Sequence, residues 1–415
     1  MTLFQLAAVF LTLVAAVGWL NSRLLQLPSG VAMLAAGLAG AVSLDLLRTF
    51  APGVSGVADA VRTISTLDFP QTVVGYLLAF LLFAGAMQVD LSELRRQRLA
   101  VWTLATLGVA ASTALVGGGV WLAAKGLSLE LPLTWALVFG ALISPTDPVA
   151  VLATVRHGGL SDRLKAVLQG EALFNDGVGI VVFLALVAFA ASGTADPGGA
   201  ALSVVVKAGG GLVFGLAAGW VGVRAMRTID DYAVEASVSL ALAAGGYAAA
   251  DALHLSGPIA VVAAGLMVGD AGVRAGTSDQ TARYVRGFWS LVDEILNALL
   301  FLLLGLELLV VPVSGPFAGL WAAAIPLVVL VRLVTVLPWG AYFRFREAER
   351  GASLVLAWGG LHGALSLALA LSLPPSPYKP LILSMTYAVV VFSVALQGLT
   401  FGPLVRALRR GRDVA

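Results

Sequence analysis

Apolar runs of about 17–25 residues, the length that crosses a bilayer as a helix, recur thirteen times in this chain of 415 residues. They fall near 3–22, 28–47, 70–89, 99–123, 132–153, 164–191, 201–226, 232–253, 257–273, 288–310, 317–341, 352–373 and 380–405. In lipid, every backbone N–H and C=O must be paired within the protein, which restricts spanning segments to helices or closed barrels. Runs of this length predict an all-α polytopic membrane protein with about 13 transmembrane helices. Charged residues make up only 12% of the chain, against about 25% in soluble domains, and no polar stretch is long enough for an extramembrane domain. The absence of cysteine excludes disulfides, thiolate metal sites and thiol catalysis. The first run has no basic region before it and no small-residue cleavage site after it, so it reads as a span.

The placement of charge tests the count of spans. Of the 25 Lys and Arg residues, with those near a span end counted to the adjoining loop, the odd-numbered loops and the C-terminal tail hold 19 and the even-numbered loops hold 5. The remaining one, Arg332, lies inside a span. This alternation predicts an outside N-terminus and a cytoplasmic C-terminus in an inner or plasma membrane. Trp102, Trp121, Trp135, Trp289, Trp321 and Trp339 fall near span ends and read as interfacial anchors. Gly211, Gly215 and Gly219, at four-residue spacing in the seventh span, predict close helix packing.

The stretch from Ser144 to Phe183 runs against the apolar pattern. It contains SPTDPVAV (144–151) and GEALFNDGVGIVVF (170–183), so that Asp147, Glu171, Asn175 and Asp176 lie in spans. Ionisable groups at membrane depth are costly and mark ion or substrate paths. Pro145 and Pro148 flank Asp147, remove backbone donors and disfavour helix in the residues before them. The expectation is a broken fifth helix with Asp147 in the break; the plainer alternative is a kinked helix capped by Asp147. Freed carbonyls at such a break can hold a small cation near the bilayer midplane. Asp176 lies about 18 Å along the sixth span if that helix starts near Leu164. It stands about 140° round the helix from Glu171, so the two carboxylates face different neighbours.

Arg332, in the run IPLVVLVRLVTVL, is the expected partner of Glu171; an unpaired charge there would be very costly. A direct ion-binding role for Glu171 is the alternative. Gly359, Gly360 and Gly363 interrupt the twelfth span as the prolines interrupt the fifth. Spans 1–6 and 8–13 then read as two inverted-topology repeats about the seventh, with crossed discontinuous helices 5 and 12, the best sequence pointer to a transport site. His362 lies in the second break, either as a structural hydrogen-bonding group or as a pH-sensitive one. Asp90 and Glu93 read as a cap on the third span, and Asp293 and Glu294 as the cytoplasmic start of the tenth. Glu307 is expected to reach water and Glu235 to be exposed.

These residues resemble the monovalent cation/proton antiporters of the NhaP type, relatives of the animal sodium/proton exchangers. The resemblance is carried by FLLFAGAMQVDLSELRR (80–96), SPTDPVAV, GEALFNDGVGIVVF, DEILNALLFLLLGLEL (293–308) and WGGLHGALSLALAL (358–371), in order, and covers roughly 1–408. It implies an ion-translocating core of helices 4–6 and 11–13 (99–191 and 316–408). Helices 1–3 and 7–10 (1–98 and 192–315) would form a dimerisation part, and the protein a homodimer. Asp176 would exchange a proton for a cation, with Asp147 and the Thr146 carbonyl as further cation ligands. Asn175, Ser144, Arg332 and His362 would support them, and an Asn-Asp pair goes with electroneutral exchange. In this sequence Ala172 replaces the serine common on the Asp176 face, and His362 stands where arginine is usual.

The chemistry expected is competition between ions. A carboxylate at membrane depth is protonated more readily than one in water, and a cation with oxygen ligands stabilises its ionised form instead. The function implied is secondary active exchange of Na⁺ or Li⁺ for H⁺ by alternating access, with K⁺/H⁺ exchange as the alternative ion. A non-transporting membrane sensor or scaffold is the alternative from another class. No phosphate-binding G-x-x-x-x-G-K-[ST] and no hydrolase G-x-S-x-G or H-E-x-x-H signature occurs. The expectation is therefore a non-enzyme without cofactor, whose partners are monovalent cations, protons and the lipid bilayer, with no nucleic acid.

Overall fold

The computed structural model describes residues 3–50, 61, 77–147, 160–192, 197–272, 278–309, 311, 318–347, 349 and 351–413, and these are helical throughout apart from short connections. In chain order the helices are α1 (Leu3–Leu20), α2 (Ser29–Phe50), α3 (Leu78–Gln88), α4 (Leu91–Arg96), α5 (Arg98–Thr103) and α6 (Val109–Gly126). There follow α7 (Leu133–Ile143), α8 (Asp162–Ser192), α9 (Pro197–Met226), α10 (Tyr232–Ala252) and α11 (Gly257–Met267). The rest are α12 (Asp279–Leu306), α13 (Ala318–Arg346), α14 (Ala352–Trp358), α15 (Ala364–Leu371), α16 (Lys379–Phe392) and α17 (Gly398–Asp413). Short π turns join α5 to α6 and α16 to α17.

Among the described residues, eight helices are long and apolar enough to cross a membrane. Every predicted run overlaps a helix, with instructive differences. Among the described residues of the fifth run the helix ends at Ile143, and Pro148 and the rest of that run lie outside the described residues. The twelfth is divided into α14 and α15. The tenth begins at Asp279 rather than 288, because Ser278 caps it by accepting from the Thr281 amide. Asp90 caps α4 rather than ending α3, accepting from the amides of Ser92 and Glu93.

Glycines set the closest approaches. A Cβ at Gly215 would collide with the Ala260 backbone, and one at Gly211 would lie 2.5 Å from the Ser256 carbonyl, so α9 lies directly on α11. Gly37 and Gly305 face each other with similarly little room between α2 and α12. Small residues of this kind let helix backbones meet, the main source of packing attraction where lipid is as apolar as leucine. α2 packs on α12, and α11 packs on α3, α9 and α10; α7 packs on α6 and α8, and α13 on α6, α14 and α16. α8 touches both sets, through α7 on one side and through α9 and α11 on the other.

Several sequence expectations are corrected. Glu235 is fully buried rather than exposed, and Glu307 is 4% exposed rather than in water. Trp289 is fully buried and donates Nε1–H to Ser239 Oγ at 2.8 Å, and Trp135 is also buried. Neither is an interfacial anchor.

Candidate functional site

The two helix breaks meet. α7 ends at Ile143 and leaves carbonyls without intrahelical donors. Ser144 answers two of them: its Oγ donates to the Gly140 carbonyl at 2.6 Å and its amide to the Ala141 carbonyl at 3.3 Å. Beyond it the chain is extended, and the Asp147 amide donates to the Leu361 carbonyl at 2.7 Å, an isolated antiparallel bridge between the breaks. Gly363 leaves room beside it: a Cβ there would stand 2.6 Å from Asp147 Oδ2. Gly359, Gly360 and Gly363 therefore do more than weaken a helix. Gly360 makes room in the same way for the guanidinium of Arg332.

Arg332, on α13, donates to both carboxylate oxygens of Glu171, with Nη2 to Oε2 at 2.8 Å, and to the Leu356 carbonyl of α14 at 3.2 Å. Glu171 is 2% exposed and Arg332 8%. Neither residue lines the cavity beside Asp176, so this pairing ties three helices behind the site.

That cavity has a volume of about 390 Å³. Its walls include Thr146 and Asp147 from the first break, Gly363 from the second, and Ala172 and Asp176 from successive turns of α8. Both aspartates are half-buried, with exposure toward the cavity. Asp176 lies about 21 Å along α8 at about 1.5 Å per residue. Asn175, its neighbour, is buried and donates Nδ2–H to Thr146 Oγ1 at 2.9 Å, joining α8 to the break. Asn175 Oδ1 has no hydrogen-bond partner among the described residues. Ser144 points away, with its Oγ 3.3 Å from Thr113 Oγ1 on α6, and does not line the cavity. His362 is 5% exposed and also stands outside the cavity, with Nδ1 3.2 Å from the Pro145 carbonyl.

The sequence reading missed half of the cavity wall. Asp293, Glu294 and Asn297 of α12, with Gln88 of α3, line it opposite Asp176. Asp293 and Glu294 are therefore mid-helix cavity residues and not a helix start. Asp293 accepts from Asn297 Nδ2 at 2.9 Å and from Gln88 Nε2 at 3.4 Å. The spacing of Asp293 and Asn297, one turn apart on one face, was the available signal. Lys165 and Gln169, in the first turns of α8, also line it. A cavity holding several carboxylates and side-chain oxygens suits a small cation or a proton.

The sequence profile described as "Sodium/hydrogen exchanger, transmembrane" matches residues 9–407. The chain belongs to the sodium/hydrogen exchanger family. The Na⁺/H⁺ antiporter NhaP of Pseudomonas aeruginosa is 42% identical over 99% of this chain and 98% of its own length. The Na⁺/H⁺ antiporter NhaH of Halobacillus aidingensis is 34% identical over 93% of each. The solved sodium proton antiporter MjNhaP1 from Methanocaldococcus jannaschii superposes with a TM-score of 0.74 over 98% of both chains at 20% identity, the same fold.

Proposed function

We propose that the chain is a secondary active antiporter that exchanges Na⁺ for H⁺, one for one, by alternating access. The observation that carries this reading is the shared cavity of Asp147 and Asp176 at the crossing of the two breaks. Full-length similarity to proteins named Na⁺/H⁺ antiporters supports it. Asp176 takes a proton or, with Asp147 and the Thr146 carbonyl, a cation. A bare carboxylate held away from water costs several kcal/mol, on the order used for buried ions, so only the proton-loaded or cation-loaded site crosses readily.

The cavity reaches Lys165 and Gln169 beside the fifth loop, whose basic residues point to the cytoplasmic side. The site in this conformation is read as open inward, in an inner or plasma membrane with the N-terminus outside. Helices 4–6 and 11–13 act as the moving core, with Glu171–Arg332 as its strut. Helices 1–3 and 7–10 act as the fixed part of a homodimer. Ala172 supports a second reading for the ion: its methyl contributes no ligand to the cavity wall, which favours a partly hydrated or larger cation such as K⁺.

The test is proton flux in vesicles reconstituted with the purified protein, driven in turn by Na⁺, Li⁺ and K⁺ gradients across a pH series. Saturable Na⁺-driven flux, lost in Asp176→Asn, is expected. Undiminished flux in that variant would reject Asp176 as the exchanging group.

A further inference from the structure

The end of a helix buried inside a protein needs donors for its last carbonyls, and α7 ends two residues before the cavity wall begins at Pro145. Ser144 supplies donors for Gly140 and Ala141. The next carbonyl along the extended segment, Pro145, is met by an imidazole from the opposite break. We propose that His362 is a positioning residue for cation binding, one that holds Pro145 by an Nδ1–H···O bond and thereby sets the place of Thr146 and Asp147 in the cavity. The inference rests on the antiport reading and deepens it.

The geometry supports a clamp. A carbonyl oxygen only accepts, so the 3.2 Å contact requires the proton on Nδ1. One residue further, the Asp147 amide donates to the Leu361 carbonyl. Thr146 is thus bracketed: Pro145 is held by His362, and Asp147 by Leu361. Asn175 holds the Thr146 hydroxyl from the third side. Of these two bonds, the one from Asp147 to Leu361 runs between backbone groups, whereas the His362 bond depends on its side chain.

His362 is itself seated. Its amide donates to Ser393 Oγ at 2.9 Å, and Ser393 Oγ donates to Gln397 Oε1 at 2.6 Å, both in the π turn between α16 and α17. All three residues are buried. The same solution recurs at the C-terminal end of α15. Lys379 Nζ donates to the Leu371 and Leu373 carbonyls at 2.7 and 2.6 Å, closing α15 with a side chain from outside that helix.

The experiment measures Na⁺-driven proton flux in reconstituted vesicles over a Na⁺ concentration series, for the wild type, His362→Leu and His362→Asn. Leucine fills similar space without a donor, whereas the asparagine Nδ2–H replaces Nδ1–H. Expected is a rise of about tenfold in half-saturating Na⁺ for His362→Leu, as loss of one buried hydrogen bond implies, with the maximal rate within about twofold. His362→Asn is expected within about twofold of the wild type in both. An unchanged half-saturation in His362→Leu overturns the clamp, as does an asparagine variant as impaired as leucine.

Should His362→Leu fail to fold, Ser393→Ala loosens the seat while leaving the imidazole, and an unaltered half-saturation there overturns the proposal equally. Thermal stabilisation by Na⁺ in detergent reads the same affinity without transport. Wild-type protein that lacks Na⁺-driven flux but shows the variant ranking in thermal stabilisation would reject the antiport reading and keep the clamp.

Discussion

Cutting the Glu171–Arg332 pair from each side separates a strut from an ion ligand. Glu171→Gln leaves the Arg332 charge buried without its counter-ion, although the amide oxygen still accepts one bond. Arg332→Met leaves the Glu171 carboxylate without either donor and also strips the Leu356 carbonyl of its bond to Nη2. Breaking a buried pair from one side costs about 3–5 kcal/mol, and an orphaned buried carbonyl adds about 1–3 kcal/mol. Arg332→Met is therefore the worse of the two. Glu171→Met combined with Arg332→Met removes both charges, and such apolar replacements are often neutral. Only the Leu356 term, about 1–3 kcal/mol, then remains. The assay is unfolding by SDS in mixed micelles, followed by tryptophan fluorescence, beside proton flux in vesicles. Both single variants are expected to unfold early, and the double variant to regain most of the loss together with exchange. A stable double variant that transports nothing would refute the strut, because Glu171 would then be needed for the ion itself.

Four further outcomes follow from single contacts. Gly363→Ala drives a Cβ to 2.6 Å from Asp147 Oδ2; overpacking of about 1–3 kcal/mol should appear as weakened Na⁺ binding, and wild-type affinity would show that Asp147 is not held there. Ala172→Ser adds a hydroxyl one turn before Asp176 on the cavity wall; a gain of about 1 kcal/mol for Na⁺ over K⁺, read from flux competition, is expected. Gly215→Leu should separate α9 from α11 and lower the thermal midpoint in detergent, at a cost of at least about 1–3 kcal/mol; an unshifted midpoint would contradict the packing. In the exposed turn between α9 and α10, hydrogen bonds from Ser278 and Thr281 hold the Asp230 carboxyl below its usual range. The stability this confers is full above about pH 4 and fades as pH falls through the lower folded value, so Asp230→Ala should flatten the acid limb of a stability–pH curve.

The lipid-crossing helices were legible because the bilayer demands long apolar runs, and proline or glycine inside such a run has few explanations. The pairing of Glu171 with Arg332 was legible for the same reason, since a charge in hydrocarbon must have a partner. Burial within the protein was not. Glu235 and Glu307 lie near predicted span ends, yet neighbouring helices cover them; distance along the chain from a span end is not depth below the surface. Trp289 misled in the same way. Asp293 and Glu294 looked terminal because apolarity alone put the tenth span at 288, whereas the helix carries its polar first turns from Asp279. Their place in the cavity depends on α3 and α12 facing α8, which no local pattern encodes.

The two cavity aspartates differ in what fixes them, and the difference bears on coupling. Asp176 rides on α8, an uninterrupted helix whose register sets its height. Asp147 lies beyond the end of α7; its amide bonds to Leu361, its side chain abuts Gly363, and its neighbours are held by Asn175 and His362. Every one of those contacts comes from α8 or the second break. In the proposed function, a cation shared by Asp147 and Asp176 would pull together α8 and the crossing, while a proton on Asp176 would remove one charge and that pull at once. In the proposed cycle, the ion bound and the packing of the core are thus one variable rather than two. A ligand moves an equilibrium only through its differential affinity for the two states. Stiffening the crossing without touching either carboxylate should then change the rate of exchange by changing how far Asp147 can follow its ion.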